Sequence, residues 1–484
     1  MTGWSRRRFL TSAGLAGTAL AVGACDTAPS QQTTGQNSAD GPITWWDHTP
    51  NLQQANARIF DKFESEPDGR PVQYTYHQTA KLGQALQLAK QGKQLPDVHS
   101  LAGLQLPPPT LIEQGWLQPL ELSDDSLAKI PEGRMLEGVN KFDGKVYTIP
   151  IFSDKQYWAA TWFNTKMLAA ADVEPPTTYE QFRQAARKVQ NATEEGTYGW
   201  IFNLGMPPRV AEHVNYLAQA AGFEGFGGQL YKTGEFAYHD DAYLTVIEFL
   251  LSLQQDGLLL PGSQTLDDQT GRVRWAAGSA AFFIDGPWCP GSLNADAPQA
   301  LDQIDVAPML VPEAGMPVTA YRTPTSGMFW LAKTSKKVGP ASKLLSYQTE
   351  RQYHIDIANG MAQPPADLSV IEEADVHPAW RKLVGWYSEQ AFLAPSPAIR
   401  NPDVSKVLAE SEPVEPGLGT IVQGMFSGDV RDVRGALKQL SDKSQRSREA
   451  ALAKAKKAGA KVELDDWAFP GWKPRQDFTS DLYN

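Results

Sequence analysis

The apolar positions of this chain switch repeatedly between a period of two and a helical period. Ile43-Thr44-Trp45-Trp46 predicts a strand, and Leu52, Ala55, Ile59, Phe60 and Phe63 follow at helical spacing. Val72-Gln73-Tyr74-Thr75-Tyr76 alternates as a second strand. Leu82, Ala85, Leu86 and Ala89 mark a second helix, and Pro96-Asp97-Val98 a further short strand. Strand, helix, strand and helix in this order predict a parallel sheet covered by helices. The alternation returns further on. Thr177 and Thr178, with Glu180 and Gln181 behind them, offer a capping box ahead of Phe182, Ala185, Ala186 and Val189. Val210, Val214, Leu217 and Ala221 predict another helix, and residues 242–253 are apolar on most sides, as a buried helix would be. Residues 280–284 predict a buried strand, and 429–458 a long helix whose basic positions read as a solvated face. No repeat at solenoid periods interrupts this α/β pattern.

The first 26 residues follow a different rule. Arg6-Arg7-Arg8-Phe9-Leu10 precedes an apolar run, residues 10–24, that is too short to span a bilayer. A charged start, a short apolar stretch and small residues before a cut site describe an export signal. The arginine pair resembles a twin-arginine signal, with Thr11 where that pattern often has Lys. Val22-Gly23-Ala24-Cys25 resembles a lipobox, which implies cleavage before Cys25 and lipid attachment at its thiol. The protein is thus expected on the outer face of the cytoplasmic membrane: signal peptide over 1–24, lipidated Cys25 and a tether to residue 41. The alternative, an uncleaved N-terminal anchor, fits the short apolar run poorly. Thr27 to Pro42 is polar and aperiodic, as a disordered tether would be.

Composition narrows the partners. The net charge is −11 over 484 residues, and removing the signal takes away three arginines and no acid. That argues against nucleic acid, whose phosphates need a basic surface. The two cysteines are Cys25 and Cys289, so a lipidated Cys25 leaves no disulfide and stability must come from a hydrophobic core. Fourteen tryptophans are many for this length; some belong to the core, and a surplus of aromatic faces often serves ligand binding.

Signatures of catalysis and cofactors fail one by one. There is no phosphate-binding Gly-x-x-x-x-Gly-Lys loop and no nucleophile elbow. Gly225-Phe226-Gly227-Gly228 follows a helix instead of a strand and reads as a turn. Seven histidines show no metal-ligand spacing. The acid pairs Asp124-Asp125, Glu194-Glu195, Asp240-Asp241, Asp267-Asp268 and Asp465-Asp466 read as solvated loop residues before they read as glycosidase carboxylates. No catalytic residue, cofactor or metal is expected.

Three stretches in fixed order carry a resemblance. They are Phe142-Asp143-Gly144-Lys145-Val146-Tyr147-Thr148-Ile149-Pro150, Trp162-Phe163-Asn164-Thr165-Lys166-Met167-Leu168, and Val173-Glu174-Pro175-Pro176-Thr177-Thr178-Tyr179-Glu180-Gln181-Phe182. Together they resemble extracellular solute-binding proteins of carbohydrate ABC importers, the maltose-binding-protein-like family. Thr148 and Phe163 depart from that pattern, where Gly and Tyr are usual. Leu95-Pro96-Asp97-Val98, Glu113-Gln114-Gly115-Trp116-Leu117-Gln118-Pro119-Leu120 and Gly278-Ser279-Ala280-Ala281-Phe282-Phe283-Ile284-Asp285-Gly286-Pro287-Trp288 add to it. The resemblance implies two α/β lobes of the periplasmic-binding-protein type, joined by hinge crossings around a central ligand cleft. Lobe 1 is expected over 42–150 and 284–325, lobe 2 over 156–282 and 331–484, with crossings at 148–154, 282–287 and 325–331. It also implies a carbohydrate ligand, permease subunits as partners, and a monomer.

A buried sugar needs aromatic faces for its C–H surface and hydrogen-bond partners for its hydroxyls. Strand ends and crossings that combine the two supply the candidates: Trp46, Asp47, Ser100, Ser153, Asp154, Trp158, Trp200, Asp285, Trp288, Ser326 and Gly327. His48 reads as a neighbour only. Lys155 and Arg322 are the obvious cations near the crossings. A glycerophosphodiester, peptide or other polar solute on the same fold, or a secreted glycosidase, remain the alternatives.

Overall fold

The computed structural model describes residues 38–104 and 106–483. The signal-like segment, Cys25 and most of the tether lie outside the described residues. Two sheets organise the chain. Their strands are β1 (Ile43–Asp47), β2 (Val72–Tyr76), β3 (Val98–His99), β4 (Leu117–Gln118), β5 (Ala160–Asn164), β6 (Tyr198–Ile201), β7 (Ala280–Asp285), β8 (Ile304–Ala307) and β9 (Trp330–Ala332). The first sheet runs β2-β1-β3-β9-β4, and the second β8-β5-β7-β6. Each sheet anchors one lobe of a two-lobed α/β fold.

In the first lobe β1 pairs parallel with β2 and β3, as the strand–helix alternation predicts. Its alternation sends Trp45 into the core, with ring centroids 5.1 Å from Phe60 and 4.5 Å from Phe329. Helix Gln53–Glu64 buries Ala55, Ile59, Phe60 and Phe63, the residues that share one helical face. β9 joins antiparallel between β3 and β4. Helices Val338–Ser346 and Arg351–Asn359 then add Leu344, Leu345, Tyr353 and Ile357 to this same core.

In the second lobe β7 is buried along its whole length, because β5 and β6 pair with its two edges. Helix Tyr179–Ala192 begins at the expected capping box, Thr178 with Gln181, and packs Phe182, Ala185, Ala186 and Val189 inward. The acid pairs at 124–125, 240–241, 267–268 and 465–466 all stand at helix starts. There Asp240 and Asp267 cap backbone N–H groups.

Strand pairing corrects the expected lobe boundaries. Residues 284–325 do not return to the first lobe, since β7 and β8 both pair with β5. Residues 330–359 do not belong to the second, since β9 and the two helices after it build the first. The expected crossing at 282–287 is therefore the end of a central strand. Chain does cross near 148–157, where Ile149 and Ile151 pack in the first core and Tyr157 and Ala159 in the second. It crosses back between Ala320, in the second core, and Phe329, in the first. A third crossing lies near 361–368, where Ser153 N–H donates to Pro364 O at 2.8 Å and Ala366 N–H to Ile151 O at 2.9 Å.

The C-terminal part packs on the second lobe. Helix Leu418–Ser427 lies on helix Pro207–Ala220, and helix Val433–Lys457 buries Leu437 and Leu440. The tail then folds back, setting Phe469, Trp472 and Phe478 against Tyr231 and Tyr321. Away from the crossings the lobes touch again: helix Val404–Glu410 meets helix Pro108–Glu113, and Ala398 O lies against Gly138.

Candidate functional site

A cavity of about 420 Å³ lies beside the first two crossings. Its wall is aromatic: Trp158, Tyr216, Phe226, Tyr231, Tyr321, Trp467 and Phe469. Glu212, Gln229, Arg322, Thr323, Thr325 and Ser396 stand between the rings. A recess of about 150 Å³ next to it shares Trp158, Arg322 and Thr325, and adds Ile151, Ser326, Gly327 and Gln363. The larger volume falls in the range of small-molecule sites, as does the mix of rings and few polar groups.

Trp158 follows the first crossing and is half-buried. Its Nε1 donates to Gln156 Oε1 at 3.1 Å. The Arg322 guanidinium lies 4.6 Å from its ring, and the Trp288 ring meets it edge-on at 5.3 Å. Trp288 is in turn held by Asp285, which accepts from its Nε1 at 3.0 Å. Gly286 makes that fold-back feasible, because a Cβ there would sit 2.4 Å from the Trp288 ring. Asp285 is fully buried and also pairs with Arg272 at 2.7 Å and accepts from Gly286 N–H at 2.8 Å. It props Trp288 and has no face on the cavity.

Helix Pro207–Ala220 turns its core stripe, Val210, Val214 and Leu217, toward the neighbouring helices Asp241–Gln255 and Leu418–Ser427. Glu212 and Tyr216, one turn apart, line the cavity, and Tyr216 is at the same time buried in the second core. Burial raises the Glu212 carboxyl pKa, against the pull of Arg209, which bonds it at 2.7 Å, and of Arg322. About a third of the Glu212 side chain is still accessible.

Asp154 ties two crossings together. It pairs with Arg134 at 2.6 Å and accepts from Thr325 N–H at 3.0 Å and Thr325 Oγ1–H at 2.8 Å. Ser153 Oγ accepts from Lys155 N–H at 3.2 Å, and Lys155 pairs with Asp477 of the tail at 2.5 Å. At Gly327 a Cβ would lie 2.1 Å from Ile149 O, so only glycine lets the two crossing segments pass this closely.

Other expected residues stand elsewhere. Trp46 packs on the far face of the first sheet, 4.5 Å from the His77 ring, and lines a separate recess with Leu88 and Leu95. Asp47 is buried behind β1. It accepts from the N–H groups of His48 at 2.6 Å and Thr49 at 2.9 Å, and from Asn56 at 3.1 Å. Burial lifts its pKa to about 6 against those bonds. Ser100 Oγ bonds His48 Nδ1 at 2.8 Å. These three residues shape the turn after β1 and do not reach the cavity. Trp200 is fully buried in the second core, stacked on Phe202 at 4.8 Å. Of the expected set, the structure brings Trp158, Ser326 and Gly327 to the cavity and its recess, with Trp288 and Asp154 behind them. The sequence reading missed Glu212, Tyr216, Tyr231, Tyr321, Trp467 and Phe469. The polar stripe of the 207–220 helix was a usable signal; the tail aromatics gave none.

Among the described residues no group of three His, Cys, Asp or Glu side chains is placed to hold a metal ion. None of the helices among them is long and apolar enough to cross a membrane.

Residues 45–354 match the family described as bacterial extracellular solute-binding protein. The chain belongs to that family. Its members are extracellular binding proteins, and the family's fold agrees with the two lobes seen here. Solved structures agree too. The GacH receptor of Streptomyces glaucescens GLA.O, studied unliganded and with acarbose, aligns with a TM-score of 0.61 at 16% identity, covering 86% of this chain and 99% of its own. The maltose/maltodextrin-binding domain MalE of Bdellovibrio bacteriovorus, bound to maltotriose, gives 0.60 at 19%, covering 85% and 99%. A sugar transporter protein of Arthrobacter chlorophenolicus A6 with laminaribiose gives 0.62 at 18%, covering 86% and 99%. The family motif residues also gain structural reasons. Asp97 binds Thr44 N–H at 2.9 Å, Ser335 Oγ at 2.6 Å and Lys337 at 2.8 Å, which fastens β3 to β1 and to the turn after β9. Asn164 caps the helix Thr165–Ala170.

Proposed function

We propose that this solute-binding protein captures a sugar or oligosaccharide outside the cytoplasmic membrane and delivers it to the permease subunits of an ABC importer. The observation that carries this reading is the cavity wall beside the crossings, seven aromatic rings with hydrogen-bonding groups between them. Rings take the C–H faces of a pyranose, and Glu212, Gln229, Thr323 and Ser396 answer its hydroxyls. The acarbose, maltotriose and laminaribiose named for the structural neighbours support the same ligand class. Trp158 is the central stacking ring, and Trp288 and Asp285 hold it in place. Binding without turnover is the expectation, since Glu212 is the one carboxylate among the described residues that lines the cavity, and it pairs with Arg209, whereas glycoside hydrolysis needs two carboxylates. The Val22-Gly23-Ala24-Cys25 segment adds a lipid anchor, so the monomer works tethered to the membrane surface.

A thermal-shift screen against mono- and oligosaccharides tests the ligand class, because a ligand that binds only the native state raises the melting temperature by mass action. A saccharide that raises it in a concentration-dependent way supports the proposal. A shift given only by peptides or glycerophosphodiesters would replace it.

A further inference from the structure

Four arginines crowd the crossings and the adjoining helices, and three have carboxylate partners. Arg134 pairs with Asp154 at 2.6 Å, Arg209 with Glu212 at 2.7 Å, and Arg272 with Asp285 at 2.7 Å. Arg322 is different. It lines both the cavity and its recess. Its Nη1 is buried and has no hydrogen-bond partner among the described residues. No carboxylate among them lies within 4.0 Å of it, and the contact that fixes its guanidinium is the Trp158 ring at 4.6 Å. Glu212, the carboxylate in the same cavity, is bonded to Arg209.

A buried donor without an acceptor is costly, and a charged one more so. The described residues do not supply the acceptor, so the contents of the cavity are left to provide it. A guanidinium presents a planar fork of N–H groups that matches the two oxygens of an anionic group. Stacking on an indole leaves that fork free while keeping the cation oriented. We infer that Arg322, held on Trp158, reads an anionic substituent, and that the ligand is an acidic saccharide such as a uronic-acid-containing oligosaccharide. The inference rests on the proposed saccharide reading and narrows it. The carboxylate or phosphate sits on Arg322, while Gln229, Thr323 and Ser396 are left for hydroxyls.

Calorimetric titration of the full chain with uronate-bearing disaccharides, sugar phosphates and their neutral counterparts tests this. The acidic saccharides should bind about tenfold tighter or more than the neutral ones, the scale of a hydrogen bond to a charged group. That preference should vanish in Arg322→Gln and survive in part in Arg322→Lys, which keeps the charge and loses the fork. Circular dichroism melts of both variants check that the fold is retained. Preference for the uronate or the phosphate arm identifies the anion, and either supports the inference. Equal or tighter binding of neutral saccharides overturns it and leaves the saccharide reading standing, as does an acidic preference that persists in Arg322→Gln. If no saccharide of any charge binds, the saccharide reading falls and the inference with it.

Discussion

Asp154 and Thr325, 171 residues apart in sequence, join two of the segments that pass between the lobes. The Asp154 carboxylate accepts from both the backbone N–H and the hydroxyl of Thr325, and Arg134 closes its other side. Asp154→Ala should therefore cost about 3 kcal/mol, because it leaves the partly buried Arg134 charge with only the Phe152 carbonyl as partner. Thr325→Val removes one hydroxyl bond and should cost about 1 kcal/mol. Denaturant melts of both variants check this; equal, small losses would contradict the tie.

Trp158 and Trp200 should behave in opposite ways. Trp158→Ala should weaken ligand binding about tenfold or more, the scale of a lost aromatic contact, with a smaller effect on stability. Trp200→Ala should cost about 3–5 kcal/mol of stability, as for other large core residues. Its effect on the affinity of the remaining folded protein should be slight. Titrations and melts on the two variants separate the roles.

Acid should destabilise the protein through buried neutral imidazoles. Burial lowers the pKa of His99 to about 4, and its ring Nδ1 stands 3.0 Å from Ser100 O. The unfolded chain protonates this group near 6.5, so it binds more protons than the native state between 6.5 and 4. The stability that His99 contributes is complete above about pH 6.5 and is lost as the pH falls to about 4, on the order of 3 kcal/mol. His48 and His354, also lowered to about 4 by burial, add to the trend. Asp47 opposes it: its raised pKa, about 6, makes the native state favour the protonated form, a contribution that fades as the pH rises from about 4 to 6. Melting temperatures across this range should fall toward pH 4, and His99→Gln should flatten the fall. An unchanged slope in that variant would contradict the assignment.

The proposed lipid anchor makes membrane attachment depend on Cys25. Cys25→Ser should release the protein from the membrane fraction or block its processing. Normal processing with unchanged retention would contradict a lipid anchor.

Local pattern made the elements legible and long-range pairing did not. The Trp45 strand, the Ile59-Phe60-Phe63 helix face and the Thr178 capping box could all be read from spacing, since each is decided within a few residues. The 280–285 run was readable as a buried strand, but its place was not. Gly286-Pro287 behind it looks like a break between lobes. Only pairing with β5, more than 100 residues earlier, keeps it in the second lobe. The cavity wall has the same origin. Tyr216, Tyr321 and the tail pair Trp467 and Phe469 come from three distant segments, and no periodicity links them. Asp47 and Trp200 carried the right chemistry for a sugar site, but burial assigns one to a turn and the other to the core.

Capture of a saccharide by the ring-lined cavity is the central claim, and calorimetric titration of the wild-type chain and of Trp158→Ala against an oligosaccharide panel tests it most directly. Saturable one-to-one binding of at least one saccharide is expected, weakened about tenfold in Trp158→Ala without loss of fold. A panel with no binder, or a binder whose affinity ignores that substitution, would contradict it.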